Sequence, residues 1–268
     1  MLRAPAKLTT SLRVVGVRPD GFHLLDAEMV TLDLADTLEV TDAVDVRVTV
    51  EGADGPDHAG TAGGVAGVPA GPENLVTRAL EAVGRQAHVR LRKRIPPGAG
   101  LGGGSADAAA ILRWAGCADV TVAVRLGADV PFCLVGGRAA VGGIGEVVIP
   151  LPYEERDVVL LLAPFGVETA AVYRAWDAMS SRRPAGATGG PAGGNDLEAA
   201  AVAVEPRLGP WRDAFEERTG RPARLAGSGS TWFTEGSLES LGIEDPMLRV
   251  GGAIGRMLTA RTTPADHG

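Results

Sequence analysis

The stretch that decides the fold is Ile95–Ala110, which reads IPPGAGLGGGSADAAA. Five glycines fall within the seven positions 98–104, and an alanine-rich segment follows them. Glycine permits φ > 0 and lets a ligand approach the backbone closely. A loop of this kind that opens a helix leaves several N–H groups, and the positive end of the helix dipole, facing one point. The stretch therefore predicts an anion site of the type that binds phosphate.

Other interpretations of this loop fit the sequence less well. The spacing G-x-G-x-x-G occurs in it, but a dinucleotide-binding fold needs an apolar strand before the loop, and strand 88–95 carries three arginines and a lysine. This disfavours a dinucleotide-dependent oxidoreductase. No lysine follows the glycines as in a Walker A loop, and the companion motifs of protein kinases are absent. A flexible linker would not run without a break into an alanine-rich helix.

Composition and length exclude several classes of protein. The chain has 268 residues, 45% of them hydrophobic, and a net charge of −7, which disfavours a nucleic-acid-binding surface. No apolar run reaches membrane-spanning length, and the first ten residues lack the apolar core of a signal peptide. Cys117 and Cys133 predict no disulfide framework. We expect a cytoplasmic protein with a small-molecule substrate, no nucleic-acid or membrane partner, and a monomeric or homodimeric state.

Hydrophobic periodicity predicts an α+β chain with a β-rich first half. Segments 52–71 and 180–194 are rich in Gly, Ala and Pro and are expected to be exposed loops, and the tail 260–268 is expected to fray. A domain boundary near residue 150 would divide the chain into 1–150 and 151–268. Strands are predicted over 2–15, 27–34, 37–41, 44–50, 88–95, 136–149 as a pair, 157–163, 223–226 and 231–234, and helices over 74–83, 106–115, 168–179, 197–204, 210–218 and 247–258.

The run PPGAGLGGGSADAA at 96–109 resembles the second motif of the GHMP kinases, and within that superfamily it is similar to the 4-diphosphocytidyl-2-C-methyl-D-erythritol kinase family. The resemblance implies a two-domain α+β GHMP kinase fold, with a ribosomal-protein-S5-like N-terminal domain and a ferredoxin-like C-terminal domain. It also implies use of ATP and Mg²⁺ to phosphorylate the substrate's 2-hydroxyl, in the non-mevalonate pathway of isoprenoid biosynthesis. Further resemblances follow in the family's order at Ala4–Leu8, Arg18–His23, Leu126–Phe132, Asn195–Glu198 and Leu225–Thr231.

The resemblance implies a role for each residue of the matching motifs. Asp129 would be the general base and Lys7 its cationic partner, while Ser105 would cap the helix or reach Mg²⁺. No metal ligand is assigned, and we expect Asp107 to lie in the helix's first turn, where its charge suits the dipole. The ATP phosphates would lie on Pro96, Pro97, Gly98, Ala99, Gly100, Leu101, Gly102, Gly103, Gly104, Ser105 and Ala106.

Substrate contacts are implied at five positions. Phe22 and His23 resemble the family's aromatic–histidine pair that holds the cytosine, with Tyr173 as the opposing ring and Thr169 as a nearby hydroxyl. Thr9 stands where the family usually has asparagine, which puts its contact with the substrate's polyol in question. The chain also departs from the family at Met29, at Arg138 and in a short segment 116–125.

Two alternatives to this function stay open from the sequence. One is another GHMP small-molecule kinase, such as a homoserine or mevalonate kinase, which would lack the cytosine clamp. The other is a catalytically silent ligand-binding relative that retains the fold, and its only support is Thr9 and the short segment 116–125.

Overall fold

The computed structural model describes residues 1–52, 68–69, 71–180 and 194–265. The predicted loops 52–71 and 180–194 lie outside the described residues except at their margins. The strands are β1 Leu2–Val17, β2 His23–Asp42, β3 Arg47–Gly52, β4 Ala87–Lys93, β5 Arg138–Gly143, β6 Val147–Pro150, β7 Asp157–Leu162, β8 Arg224–Leu225, β9 Trp232–Glu235, β10 Met247–Val250 and β11 Ala253–Thr263. The helices are α1 Leu75–Ala82, α2 Gly103–Trp114, α3 Val120–Leu126, α4 Val130–Val135, α5 Thr169–Ser180, α6 Glu198–Val204 and α7 Leu208–Thr219.

The long strand β2 organises the first half of the chain. It pairs antiparallel with β1 along one edge and with β4 and β5 along the other. Two separate strands were predicted here, but Ala35 and Asp36 continue the ladder opposite Pro5 and Ala4, so the strand is unbroken. Strand β4 alternates buried and exposed residues as predicted; it is antiparallel to β2 and parallel to β3.

The second half of the chain forms an antiparallel sheet in the order β8-β9-β7-β11-β10. The helix predicted over 247–258 is wrong, because β10 and β11 form a hairpin there. Gly251 and Gly252 occupy the turn with φ of +56° and +83°, and a Gly-Gly pair between apolar runs is a hairpin signal that outweighs the helical spacing. Strand β11 continues to Thr263, so residues 260–263 of the tail are strand rather than frayed, and their end pairs with β2 at Thr31 and Leu32.

Three apolar clusters make up the core. The first lies between helices α1 to α4 and the first sheet, and the second lies between α5 to α7 and the second sheet. The third contains residues of both halves, including Leu8, Leu160 and Phe233, and it also buries Ala99 and Leu101 of the glycine loop. Apolar burial therefore anchors the loop where the two halves meet. The division into 1–150 and 151–268 stays a prediction.

Candidate active site

The glycine loop ends in an unusual helix start. Gly102 is the N-cap of α2 with φ of +67°, and the first helical hydrogen bond is donated by the Ala106 N–H to the Gly102 carbonyl over 2.8 Å. The N–H groups of Gly103, Gly104 and Ser105 therefore have no helical partner. Ser105 lies inside the first turn, so the expectation that it caps the helix is wrong. The helix begins three residues earlier than predicted because the last glycines join it.

A second glycine segment closes against this loop. At Gly100, where φ is +82°, a Cβ atom would lie 2.5 Å from the carbonyl oxygen of Ala226 and 2.8 Å from the Cα of Gly229. The Thr231 N–H also donates to the Ala99 carbonyl over 3.2 Å. Two backbones approach each other so closely here that a side chain at Gly100 would clash. The two small-residue motifs at 98–104 and 227–230, far apart in sequence, thus form one structure.

Lys7 and Asp129 meet beside the loop. Lys7 lies on β1, and its backbone N–H donates to the Leu101 carbonyl over 3.0 Å. Its Nζ lies 3.3 Å from Oδ2 of Asp129, with the lysine side chain buried and the carboxylate 31% exposed. The structure therefore brings together the two residues for which catalytic roles are predicted, with the carboxylate open to a ligand.

Thr9 contacts Lys7. It is buried, and its Oγ1 accepts a hydrogen bond from Nζ of Lys7 over 3.1 Å. Asn195 fixes the neighbouring turn, because its Nδ2 donates to the carbonyls of Leu225 and Gly227 over 3.0 and 2.6 Å. A Cβ atom on Gly227 would lie 3.7 Å from Nζ of Lys7. Thr9 thus partners Lys7 directly, whereas Asn195 fixes the turn that lies next to it. Substrate contact by Thr9 stays a prediction.

Asp129 is held at the start of helix α4. It is the residue before Val130, which is buried with Phe132 in the first core cluster. Burial raises the pKa of the Cys133 thiol to about 12, and the negative charge of Asp129 contributes to this shift. The short segment 116–125 still returns Asp129 to the loop, because it includes part of the compact helix α3. The departure in length therefore does not separate Asp129 from Lys7.

A second cluster surrounds His23 at the start of β2. Its ring centroid lies 4.7 Å from that of Tyr173 and 5.5 Å from that of Trp176, and its Nε2 lies 2.7 Å from Oδ1 of Asp177. Burial raises the pKa of the Tyr173 hydroxyl, and the negative charge of Asp129 adds to this shift.

Of the remaining predicted substrate residues, Phe22 directly precedes His23, and Thr169 lies on α5 with Tyr173. Phe22 is 56% exposed, so its ring is accessible. Among the described residues, the ring that packs on Tyr173 is that of His23 rather than that of Phe22. The Oγ1 of Thr169 lies 2.9 Å from Oγ of Ser228 in the second glycine segment. Thr169 thus links the start of α5 to the second glycine segment.

Sequence reasoning missed a buried charge cluster behind the loop. Nζ of Lys93 donates to Oδ2 of Asp36 and, over 2.7 Å, to Oδ2 of Asp107, and all three side chains are buried. The expectation that Asp107 serves the helix dipole in the first turn is therefore wrong: it is the fifth residue of α2 and faces Lys93. The signal was the position of Lys93, which falls on the buried face of β4 with Val89 and Leu91.

The charges in this cluster shift one another's pKa. Burial raises the pKa of Asp107 to about 7, against the opposing effect of Lys93. Burial also opposes the charge on Lys93, but Asp107 and Asp36 together raise the lysine's pKa. A Cβ atom on Gly103 would lie 3.1 Å from Nζ of Lys93. The cluster therefore ties β2, β4 and α2 together directly beneath the start of the helix.

Comparisons with known proteins agree with this geometry. A family model described as the GHMP kinases N terminal domain matches residues 74–137. A 4-diphosphocytidyl-2-C-methyl-D-erythritol kinase of Paracoccus denitrificans is 38% identical over 243 residues, covering 86% of this chain and 84% of that protein. The chain belongs to the 4-diphosphocytidyl-2-C-methyl-D-erythritol kinases. A second such kinase, from Pelotomaculum thermopropionicum, is 38% identical over 263 residues. This alignment covers 86% of this chain and 86% of that protein.

Solved structures of these kinases and their superfamily share the fold. A crystal structure of 4-(cytidine 5'-diphospho)-2C-methyl-D-erythritol kinase aligns with a TM-score of 0.68 and 29% identity, covering 98% of this chain and 99% of that one. A mevalonate kinase aligns with a TM-score of 0.57 at 12% identity, which shows the fold alone. The predicted family and the α+β GHMP kinase fold are confirmed. Within the described ranges, no helix is long and apolar enough to span a membrane.

Proposed function

We propose that the chain transfers the γ-phosphoryl group of ATP to the 2-hydroxyl of 4-(cytidine 5'-diphospho)-2-C-methyl-D-erythritol. The observation that carries this proposal is the Lys7–Asp129 pair, 3.3 Å apart, beside the glycine loop at the start of α2. Relatives that cover most of the chain carry the name of this kinase. The proposal places the reaction in isoprenoid biosynthesis, and it includes a cytoplasmic location and a monomeric or homodimeric state.

Phosphoryl transfer requires mainly positioning and charge neutralisation. Asp129 accepts the proton of the substrate's 2-hydroxyl. The hydroxyl oxygen forms a bond to the γ-phosphorus of ATP while the bond between that phosphorus and the β,γ-bridging oxygen breaks, which releases ADP. Lys7 stabilises the charge on the transferring group. The phosphates lie on the loop Pro96–Ala106, where the N–H groups of 103–105 and the helix dipole face them.

Mg²⁺ accompanies the nucleotide in this proposal. The described part of the chain holds no cluster of three or more His, Cys, Asp or Glu side chains placed to bind a metal. Mg²⁺ often binds through one or two carboxylates together with substrate phosphates and waters. Ser105 lies in the first turn of α2, where its hydroxyl would be available to such an ion beside the phosphates. When bound, the ion neutralises phosphate charge.

The cytidine end of the substrate lies on the His23 cluster. Phe22 supplies an exposed stacking face, and His23 supplies the polar edge, with Tyr173 and Thr169 on the facing helix. Thr9 serves the acceptor end through its contact with Lys7.

A coupled ADP-release assay tests the proposal against its rivals. The purified protein is offered the cytidyl substrate, mevalonate, homoserine and galactose, each with ATP and Mg²⁺. We expect turnover of the cytidyl substrate alone, with a raised KM in Phe22→Ala and His23→Ala. Turnover of another acceptor, unaffected by these two substitutions, would favour another GHMP kinase. ATP binding without any turnover would favour the silent relative.

A further inference from the structure

We propose that Asp177 is a positioning residue for base recognition: its carboxylate accepts the proton on Nε2 of His23 and leaves Nδ1 as an acceptor for the exocyclic amino group of cytosine. This inference rests on the proposed function, because it requires a cytidine-containing substrate. Asp177 lies in α5, outside the motifs that resemble the family. It is 154 residues from His23 in sequence.

The imidazole of His23 is held by one face of a helix. Tyr173, Trp176 and Asp177 are spaced i, i+3 and i+4 along α5, so their side chains lie on one side of it. Tyr173 packs at 38° to the imidazole plane, Trp176 meets it edge-on at 86°, and Oδ1 of Asp177 lies 2.7 Å from Nε2. The side chain of His23 is only 11% exposed, whereas that of Asp177 is 51% exposed. The ring therefore has a defined orientation, set by three contacts.

The pairing with Asp177 determines which nitrogen carries the proton. An ionised carboxylate can only accept hydrogen bonds, so Nε2 of His23 must be the donor. In the neutral ring the other nitrogen is then an acceptor. Among the described residues, none forms a hydrogen bond to Nδ1 of His23. The protein thus presents one ring acceptor that is available to a ligand.

An acceptor at this position discriminates between pyrimidine bases. Cytosine carries an amino group, a donor, at the position where uracil carries a carbonyl oxygen, an acceptor. Nδ1 of His23 can pair with the amino group, whereas it would face the lone pairs of the uracil oxygen. Selectivity arises when a site leaves the wrong ligand's polar group unpaired. Asp177, by fixing the state of His23, therefore contributes to the preference for cytidine over uridine.

Two measurements on the full chain test this role. The first reads the histidine tautomer by long-range ¹H–¹⁵N correlation spectra of the substrate-free protein; the chain has only four histidines, and a His23→Gln variant assigns the signals. We expect His23 to carry its proton on Nε2. The second compares kcat and KM for the cytidyl substrate and its uridyl analogue in the wild type, Asp177→Ala and Asp177→Asn. Asp213→Ala, an exposed aspartate on α7, is the matched control.

The expected outcome separates positioning from a structural effect. In Asp177→Ala, KM for the cytidyl substrate should rise about five- to tenfold, which corresponds to one hydrogen bond, with kcat unchanged and the cytidyl-to-uridyl preference reduced. Asp177→Asn keeps an acceptor oxygen and should recover most of the loss. A proton on Nδ1, or an unchanged preference in Asp177→Ala, would overturn the inference. If the wild-type protein does not turn over the cytidyl substrate, the proposed function is refuted. The tautomer of His23 would still show whether Asp177 accepts the proton on Nε2.

Discussion

Gly102→Ala should inactivate the site by displacing Lys7. Gly102 has φ of +67°, and a Cβ atom there would lie 2.7 Å from Cγ of Lys7. Because favourable carbon contacts begin at about 3.5 Å, the lysine must retreat by about 0.8 Å. Misplacement of a catalytic group by about 1 Å can cost about 10²-fold in rate. The left-handed backbone conformation adds a stability cost of about 1–2 kcal/mol for alanine.

Gly116→Ala is the matched control for this experiment. Gly116 has φ of +72°, but a Cβ atom there would meet nothing within 4 Å. Both variants should lose about 1–2 kcal/mol of stability, or about 2–8 °C in melting temperature. Only Gly102→Ala should lose about 10²-fold in kcat, as measured by coupled ADP release at a temperature where both remain folded. Equal activity of the two variants would refute the idea that the loop sets the position of Lys7.

Three further predictions concern the charges around the site. Asp36→Ala removes one of the two carboxylate partners of Lys93 and the acceptor of the Ile95 N–H, and should cost about 1–3 kcal/mol in urea unfolding; no measurable loss would show that the cluster is not stabilising. Burial raises the pKa of Asp107 from 3.8 to about 7, so between these pH values the folded state retains a proton that the unfolded chain has released. The free energy of unfolding of the wild type, relative to that of Asp107→Asn, should therefore fall as pH rises from about 4 to about 7. A rise over this pH range would contradict the prediction. Lys7→Ala should lower kcat about 10²-fold or more while calorimetry still detects ATP binding; full activity would remove Lys7 from the mechanism.

Local sequence patterns predicted the parts of the site that a short motif contains. The glycine loop, the alanine-rich helix after it and the strand with Lys7 all depend on contiguous residues, and the structure has each of them. The pairing of Lys7 with Asp129 was expected only from the family resemblance, since 122 positions separate the two residues and no local pattern relates them.

The features that the sequence did not predict depend on long-range register. Asp36, Lys93 and Asp107 come together because the ladder between β2 and β4 sets Thr37 opposite Arg92, and α2 packs over that sheet. The β10–β11 hairpin was missed for a different reason. Its apolar residues fit a helix as well as two short strands, and only the Gly-Gly turn distinguishes the two.

The most direct test of the central claim is a ³¹P NMR spectrum of the reaction product, recorded without proton decoupling, for the wild type and Asp129→Asn. The 2-hydroxyl lies on a carbon that bears the methyl branch and no hydrogen, so a phosphate there has no three-bond proton coupling. We predict that the wild type produces a new unsplit phosphomonoester signal and that Asp129→Asn produces it about 10²-fold more slowly. A split signal, or an equal rate in Asp129→Asn, would contradict the account.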